Sequence, residues 1–324
     1  MRVLVTGGAG FIGSHLCELL LECGAEVLAL DDLSTGRLEN LRSALEHPRF
    51  SLQRADLSTL ELRGLVARSD RVFHLAAVVG VRRVLADGRK TWETNVAGAR
   101  AVFAAAAQAC VPCLFASSSE VYGARADVPF RETDRLLQGT SADPRWVYAR
   151  SKVRGEELAR ELLGGARVPV VVARLFNVVG PRQLGRYGMV LPNFVEQALS
   201  GKPITVFGSG AQTRTFLHVR DAVEALGGLL EAPPAGCAVF NVGGEEELSI
   251  LELAERVRRT TGSCSQIRRI DPAEAYGRPV DDLPRRSPDL SRLRAHLGFA
   301  PRHSLEDAIR SLVAHRESAA ALAG

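Results

Sequence analysis

The chain has 324 residues, 46% hydrophobic and 24% charged, the make-up of an ordinary globular protein long enough for one large domain or two coupled ones. The formal net charge is +4, and all but three of the 41 basic residues are arginine. The arginines are scattered with no aromatic-basic stripe, which excludes a nucleic-acid surface, and the bias makes each lysine informative.

The chain opens on a strand, 2–6, with no charged and apolar leader, so no signal peptide is expected and the cytoplasm is the default location. Gly7-Gly8-Ala9-Gly10-Phe11-Ile12-Gly13 follows at once. Glycines spaced in this way let a chain turn sharply out of a strand and pass close to a pyrophosphate. They then start a helix whose amides face the phosphates. The helix expected over 12–23 carries Ile12, Leu16, Leu19, Leu20 and Cys23 on one face, and Gly24 stops it. A second strand, 26–31, ends in Asp31-Asp32. There a carboxylate accepts hydrogen bonds from the adenosine ribose hydroxyls and repels a 2′-phosphate, which favours NAD over NADP.

Further strands are predicted at 50–55, 71–76, 113–117 and 168–175, and helices at 91–109 and 146–163. This alternation is that of an α/β doubly wound parallel (Rossmann) sheet. Asp56-Leu57 ends the third strand, where a carboxylate can meet the adenine amino group, and Leu75-Ala76-Ala77 ends the fourth with the small residues a cofactor needs. The most apolar helix, around Ala101–Ala107, is too short to span a bilayer, so no membrane role is expected. Cys110 and Cys113 join that helix to a buried strand. Without a second pair they predict neither thioredoxin-like chemistry nor a metal site.

After Asn177 the pattern changes. A strand-helix unit at 215–230 and a strand at 239–242 are expected to return to the sheet. The segments 178–213 and 246–324, with a helix at 249–261, an Arg/Pro-rich loop at 278–288 and two short helices, are expected to form a smaller α/β substrate-binding lobe. Residues 1–177 with 214–245 would then be the NAD-binding domain.

The reacting group is Tyr148 with Lys152, four apart on one helix face. A free phenol titrates near pKa ~10. A nearby ammonium and the positive nicotinamide ring favour the phenolate and are expected to lower that value. Lys152 can also hold the nicotinamide ribose, and Ser118 can pass a hydrogen bond from substrate hydroxyl to phenolate.

These motifs resemble, essentially end to end, the extended short-chain dehydrogenases/reductases of the nucleotide-sugar epimerase, dehydratase and decarboxylase group. The resemblance rests on the glycine loop, Asp31-Asp32-Leu33-Ser34-Thr35-Gly36, Asp56-Leu57, Leu75–Ala77, Asn95, Ser117–Gly123, Tyr148/Lys152, Arg174–Asn177, Gly180-Pro181-Arg182, Gln212–Arg214 and Arg285–Asp289. It implies bound NAD, a nucleoside-diphosphate sugar as substrate, and a homodimer through a four-helix bundle. It also implies that Asn177, Arg214 and Arg286 supply donors to the diphosphate, that Pro192-Asn193 grips the nucleotide, and that Val79, Gly80, Arg82 and Arg182 border the substrate.

Positions 118–120 discriminate among the reactions. Plain 4-epimerases resemble Ser-Ala-Thr there, dehydratases Thr-Asp-Glu and decarboxylases Thr-Ser-Glu. This chain has Ser118-Ser119-Glu120. The stretch around Arg214 also resembles the decarboxylases, and Arg214 is expected near a carboxylate. The resemblance therefore favours UDP-glucuronate decarboxylation through a 4-keto sugar. The loop Val78-Val79-Gly80-Val81-Arg82 instead resembles 4-epimerases and keeps that alternative open. A non-catalytic NAD-binding regulator is disfavoured, because tyrosine and lysine are both present.

Overall fold

The computed structural model describes residues 1–80, 87–125, 127–137, 146–185, 188–271, 274 and 283–321. Its strands are β1 (Arg2–Thr6), β2 (Glu26–Asp31), β3 (Phe50–Arg54), β4 (Arg71–His74), β5 (Cys113–Ser118), β6 (Val170–Leu175), β7 (Val178–Val179), β8 (Ile204–Phe207), β9 (Thr213–Thr215), β10 (Leu217–His218), β11 (Cys237–Val242), β12 (Glu247–Ser249), β13 (Ile267–Ile270) and β14 (Arg285–Arg286).

Seven strands form one sheet in the order β11-β6-β5-β4-β1-β2-β3, and every pairing in it is parallel. The central strands are near-continuous apolar runs buried on both faces, as a parallel sheet covered by helices requires. Val3 and Val5 pack on one face with Leu16 and Leu20 of the Phe11–Glu22 helix and Leu226 of the Val219–Glu231 helix. Leu4 points the other way, towards Val102 and Phe103 of the Gly88–Ala109 helix and Leu158 of the Val147–Ala159 helix. The chain winds outwards from β1 in one direction and returns to β4 on the other side. This leaves a switch point between β1 and β4, where such sheets open a ligand crevice.

A second apolar core joins Leu191, Phe194 and Val195 to Ile204 and Val206 of β8, Leu253 and Val257 of the Ile250–Thr260 helix, and Ile309 and Leu312 of the Leu305–Ala321 helix. Around it lie the small sheets β12-β9-β14 and β13-β8. A capping box of Ser249 and Glu252 starts the Ile250–Thr260 helix.

Several expectations are corrected. The strand expected near 215 does not return to the main sheet: β10 is two residues long and pairs with β7. β11 does return, beside β6. The helix expected from 91 begins at Gly88, because Asp87 caps it by accepting from the Lys90 amide at 2.9 Å. The last helix is not short but runs 17 residues. Of the loop at 278–288, residues 278–282 lie outside the described residues, and Arg285–Arg286 form β14. Cys110 caps its helix in a left-handed conformation and is exposed, whereas Cys113 is buried; both are free thiols. Among the described residues no helix is long and apolar enough to cross a membrane.

The Val147–Ala159 helix lies so close to β5 that a Cβ on Gly155 would meet Phe115 Cζ at 2.5 Å. Gly155→Ala should therefore cost about 1–3 kcal/mol of stability. We expect a lower midpoint of thermal unfolding; a wild-type midpoint would contradict this packing.

Candidate active site

The carboxyl ends of β1, β2, β4, β5 and β6 border one cleft of about 410 Å³. Gly7 turns out of β1 with φ +74°, where a side chain would be strained and its Cβ would meet the Ala76 amide nitrogen at 2.7 Å. A Cβ on Gly13 would strike Gly7 O at 2.1 Å. The loop therefore closes only with glycine, and the Phe11–Glu22 helix starts at Gly10 with no side-chain cap on its first amides. Gly7, Gly10, Phe11, Ile12 and Gly13 line the cleft, and uncapped amides at a helix N-terminus suit a pyrophosphate.

Asp31 is buried, and its carboxylate accepts from the Ala9 amide at 2.9 Å and the Leu33 amide at 2.8 Å. Burial pushes its pKa up, against those two hydrogen bonds. Asp32, Ser34, Thr35, Asp56, Leu57, Leu75, Ala76, Ala77 and Ser117 also line the cleft. Asp56 Oδ1 accepts from the Ser58 amide and hydroxyl, both at 2.8 Å, which holds its carboxyl below the usual range. This donor and acceptor set fits a dinucleotide.

At the other end of the cleft lie Ser118 and Tyr148, with Ser118 Oγ accepting from the Glu120 amide at 3.2 Å. Lys152 is buried, donates to Ala116 O at 2.8 Å and sits 5.8 Å from the centre of the Tyr148 ring. Without the nicotinamide ring, burial governs both groups. Burial, assisted by the Glu120 carboxylate, pushes the phenol above its ordinary pKa, while the Ser118 hydroxyl and Arg286 pull it down. Lys152 itself is drawn down to about 7 by burial, with Glu156 acting the other way. In the protein alone the phenol is thus held protonated. A sequence reading counts the ammonium but not the dryness that weakens it.

Glu120 and Arg286 face each other across the cleft wall, Oε1 to Nη1 at 3.7 Å, with Ser119 beside them. Arg286 Nε is buried and has no hydrogen-bond partner among the described residues. Val79, Asn177, Arg182 and Pro192 also border the cleft; Asn177 donates to Thr215 O at 2.8 Å, and Arg182 Nη2 pairs with Glu18 at 2.6 Å.

Five expected site residues do not line the cleft. Arg214 is the register partner of Arg286 between β9 and β14, but its guanidinium donates to Thr213 O at 2.7 Å and Leu283 O at 2.8 Å. Asn95 accepts from the Val78 amide at 2.7 Å and donates to Ser151 Oγ at 3.0 Å, tying the Val78 loop to the Tyr148 helix. A Cβ on Gly36 would sit 2.6 Å from Asp31 Oδ1, so Gly36 makes room for the acid. Asn193 lies under Gly185, where an added Cβ would meet Asn193 Oδ1 at 2.1 Å. Gly80 is buried with φ +109°. Arg82 lies outside the described residues.

Sequence reasoning missed Asn40, whose amide donates to Ala9 O at 2.8 Å, and Gln183, whose amide donates to Val178 O at 3.0 Å; both line the cleft. The only sequence signal was for Gln183, which directly follows the Gly-Pro-Arg motif.

Fold and cleft together define an extended short-chain dehydrogenase/reductase. The chain belongs to the NAD dependent epimerase/dehydratase family, whose model matches residues 3–243. It is 37% identical over 318 residues to a UDP-N-acetyl-alpha-D-glucosaminuronate decarboxylase of Bacillus cytotoxicus, covering 96% of each chain. It is 36% identical over 316 residues to UDP-glucuronic acid decarboxylase 1 of Arabidopsis thaliana, covering 97% of this chain and 69% of that one. Among solved structures it is similar to UDP-glucuronic acid 4-epimerase of Bacillus cereus in complex with NAD. That match has a TM-score of 0.85 at 28% identity and covers 98% of this chain and 99% of that one.

Two outcomes follow from this geometry. Calorimetric titration should show NAD binding more tightly than NADP, because of Asp31 and Asp32; the reverse order would contradict the placement of the ribose. Tyr148→Phe should lower turnover by on the order of 10²–10⁴ while leaving NAD binding largely intact. Normal turnover of that variant would remove Tyr148 from the chemistry.

Proposed function

We propose that the protein decarboxylates a nucleoside-diphosphate hexuronic acid, with UDP-glucuronate as the leading substrate and a UDP-pentose, UDP-xylose or its 4-keto form, as product. The observation that carries this reading is the Glu120–Arg286 pair, set 3.7 Å apart on the cleft wall with both charges acting on Tyr148. Returning a hydride to the other face of a ketone requires only a proton donor and acceptor. A carboxylate and a guanidinium beside that donor are what a reaction at the neighbouring carbon would use. The decarboxylase relatives support the same reading.

When bound, NAD supplies reversible hydride acceptance, the redox half of the chemistry. The chain supplies the proton half. As the phenolate, which the positive charge of bound NAD would favour, Tyr148 Oη takes the proton of the sugar 4-hydroxyl, with the Ser118 hydroxyl beside it in the cleft as the relay. Lys152 contributes positive charge beside the phenol and a donor for the nicotinamide ribose. A carboxyl group β to a ketone leaves readily as CO₂, because the carbonyl accepts its electron pair. Glu120 is placed to direct a proton to C5, and Arg286 has a buried N–H left for the carboxylate or diphosphate.

In this reading the second apolar core is the substrate lobe. The protein works as a homodimer in which the Gly88–Ala109 and Val147–Ala159 helices meet their partner copies in a four-helix bundle. Trp92, 37% exposed on the first of these helices, fits such a contact.

A second reading, 4-epimerisation of a UDP-hexose or hexuronate, draws on Val78 and Val79. They give the cleft an aliphatic edge where decarboxylases resemble a Ser/Pro-containing loop. The solved 4-epimerase structure fits it as well.

Incubation with NAD and UDP-glucuronate, or its 2-acetamido counterpart, should give a product lighter by one CO₂. Glu120→Ala should retain NAD binding and lose turnover by on the order of 10² or more. Conversion of UDP-glucose to UDP-galactose with both hexuronates left intact would overturn decarboxylation in favour of the epimerase.

A further inference from the structure

Behind the cleft lies a charged cluster that the chemistry above does not use. Glu156 is 2% exposed. Its carboxylate accepts from Ser117 Oγ at 2.6 Å, Arg174 Nε at 3.0 Å and Arg174 Nη2 at 2.7 Å. Arg174 Nη1 donates to the Tyr122 hydroxyl at 2.9 Å and to Glu132 O at 3.1 Å, and Tyr122 donates to Asn241 Oδ1 at 2.7 Å. The cluster fills the interface between the Val147–Ala159 helix and the ends of β5 and β6. A buried ion pair is seldom worth more to stability than apolar side chains of the same volume. Its presence here therefore asks for a function.

Lys152 is the neighbour that gives it one. It stands one turn before Glu156 on the same helix face and is 3% exposed. From its own helix, Tyr148 and Glu156 face it. From β5 come the Ala116 carbonyl, the Phe115 ring with its centre at 4.8 Å, and Ser117. From β4 comes His74, kept neutral because burial pulls its pKa to about 3. From β6 comes Arg174, already held by Glu156. Glu120 and Arg286 lie beyond Tyr148. Glu156 is the one carboxylate among the described residues whose charge acts on the ammonium.

We propose that Glu156 is a positioning residue for the proton-transfer pair, a buried counter-charge one helical turn from Lys152 that keeps the ammonium charged beside Tyr148 while the Ala116 carbonyl holds it. Arg174 and Ser117 fix the carboxylate so that it cannot swing away, and the helix spacing fixes Lys152 relative to it. The role of Lys152 in turnover rests on the function proposed above; the charge coupling does not.

The sign follows directly. Burial already draws Lys152 down to about 7, and Glu156 opposes that fall. Without the carboxylate the ammonium is lost at lower pH, so the alkaline limb of the pH–rate profile moves to the acid side. The chain has only three lysines, Lys90, Lys152 and Lys202. Protein labelled with carbon-13 at lysine Cε therefore gives three NMR titrations, and the Lys90→Arg and Lys202→Arg variants assign them. We expect Glu156→Gln to move the Lys152 titration down by about one pH unit, to leave Lys90 and Lys202 in place, and to carry the alkaline limb with it. Glu156→Asp, which keeps the charge, should restore part of the shift. If Glu156→Gln does not fold, Glu156→Asp alone carries the test, with a smaller fall of the Lys152 titration in the same direction. An unmoved Lys152 titration in a folded variant overturns the proposal, as does a loss of turnover equal at every pH. The titration needs no substrate, so a wrong choice of sugar leaves it readable.

Discussion

The site depends on how one helix is laid against the sheet. The Val147–Ala159 helix carries Tyr148, which lines the cleft, and Lys152 and Glu156, which end in a dry interface. Gly155 permits the approach, since any side chain there would strike Phe115. Once the helix is that close, water no longer solvates its charges, and every one needs a fixed partner. Lys152 takes the Ala116 carbonyl, and Glu156 takes Arg174 and Ser117. The same closeness raises the phenol and lowers the ammonium, so the protonation of Tyr148 and Lys152 is set by packing as much as by residue type.

The other wall of the cleft is built from backbone. Gly7 and Gly13 allow the first loop to close, and Gly36 allows the next one to reach Asp31. Asp31 is then held by two amides before any ligand arrives, so its carboxylate is already oriented. The substrate end is different in kind. Arg286 and Glu120 belong to segments far apart in the chain; the Phe130 amide, ten residues after Glu120, donates to the Ser287 carbonyl at 2.8 Å and ties the two segments together.

This difference explains what the sequence could reveal. The parallel sheet, the glycine loop, Asp31 and the Tyr148/Lys152 face were legible because each rests on local spacing: a period, a turn or an i,i+4 pair. Arg214 and Arg286 were not separable, since both sit in arginine-bearing motifs and only the folded contacts show that Arg286 lines the cleft while Arg214 turns to the Thr213 and Leu283 carbonyls. Asn95 and Gly36 lie in motifs that mark the site, yet they act through Val78 and Asp31. Glu156 followed Lys152 at helical spacing and still passed unnoticed. An i,i+4 carboxylate on a helix is usually a solvated partner, and only burial shows otherwise. The two-residue β10 gave no usable pattern, and its pairing with β7 is decided by tertiary contacts.

In the proposed function the first step, oxidation at C4, is common to decarboxylation and 4-epimerisation. The branch turns on whether the groups around Tyr148 act at the ketone carbon alone or also at its neighbour, C5. Solvent deuterium distinguishes these directly. Turnover of UDP-glucuronate in heavy water, followed by NMR of the product sugar, should give a UDP-pentose with one deuterium at C5 and the original hydrogen retained at C4. A six-carbon product with its carboxylate intact and no deuterium at C5 would contradict decarboxylation at this site.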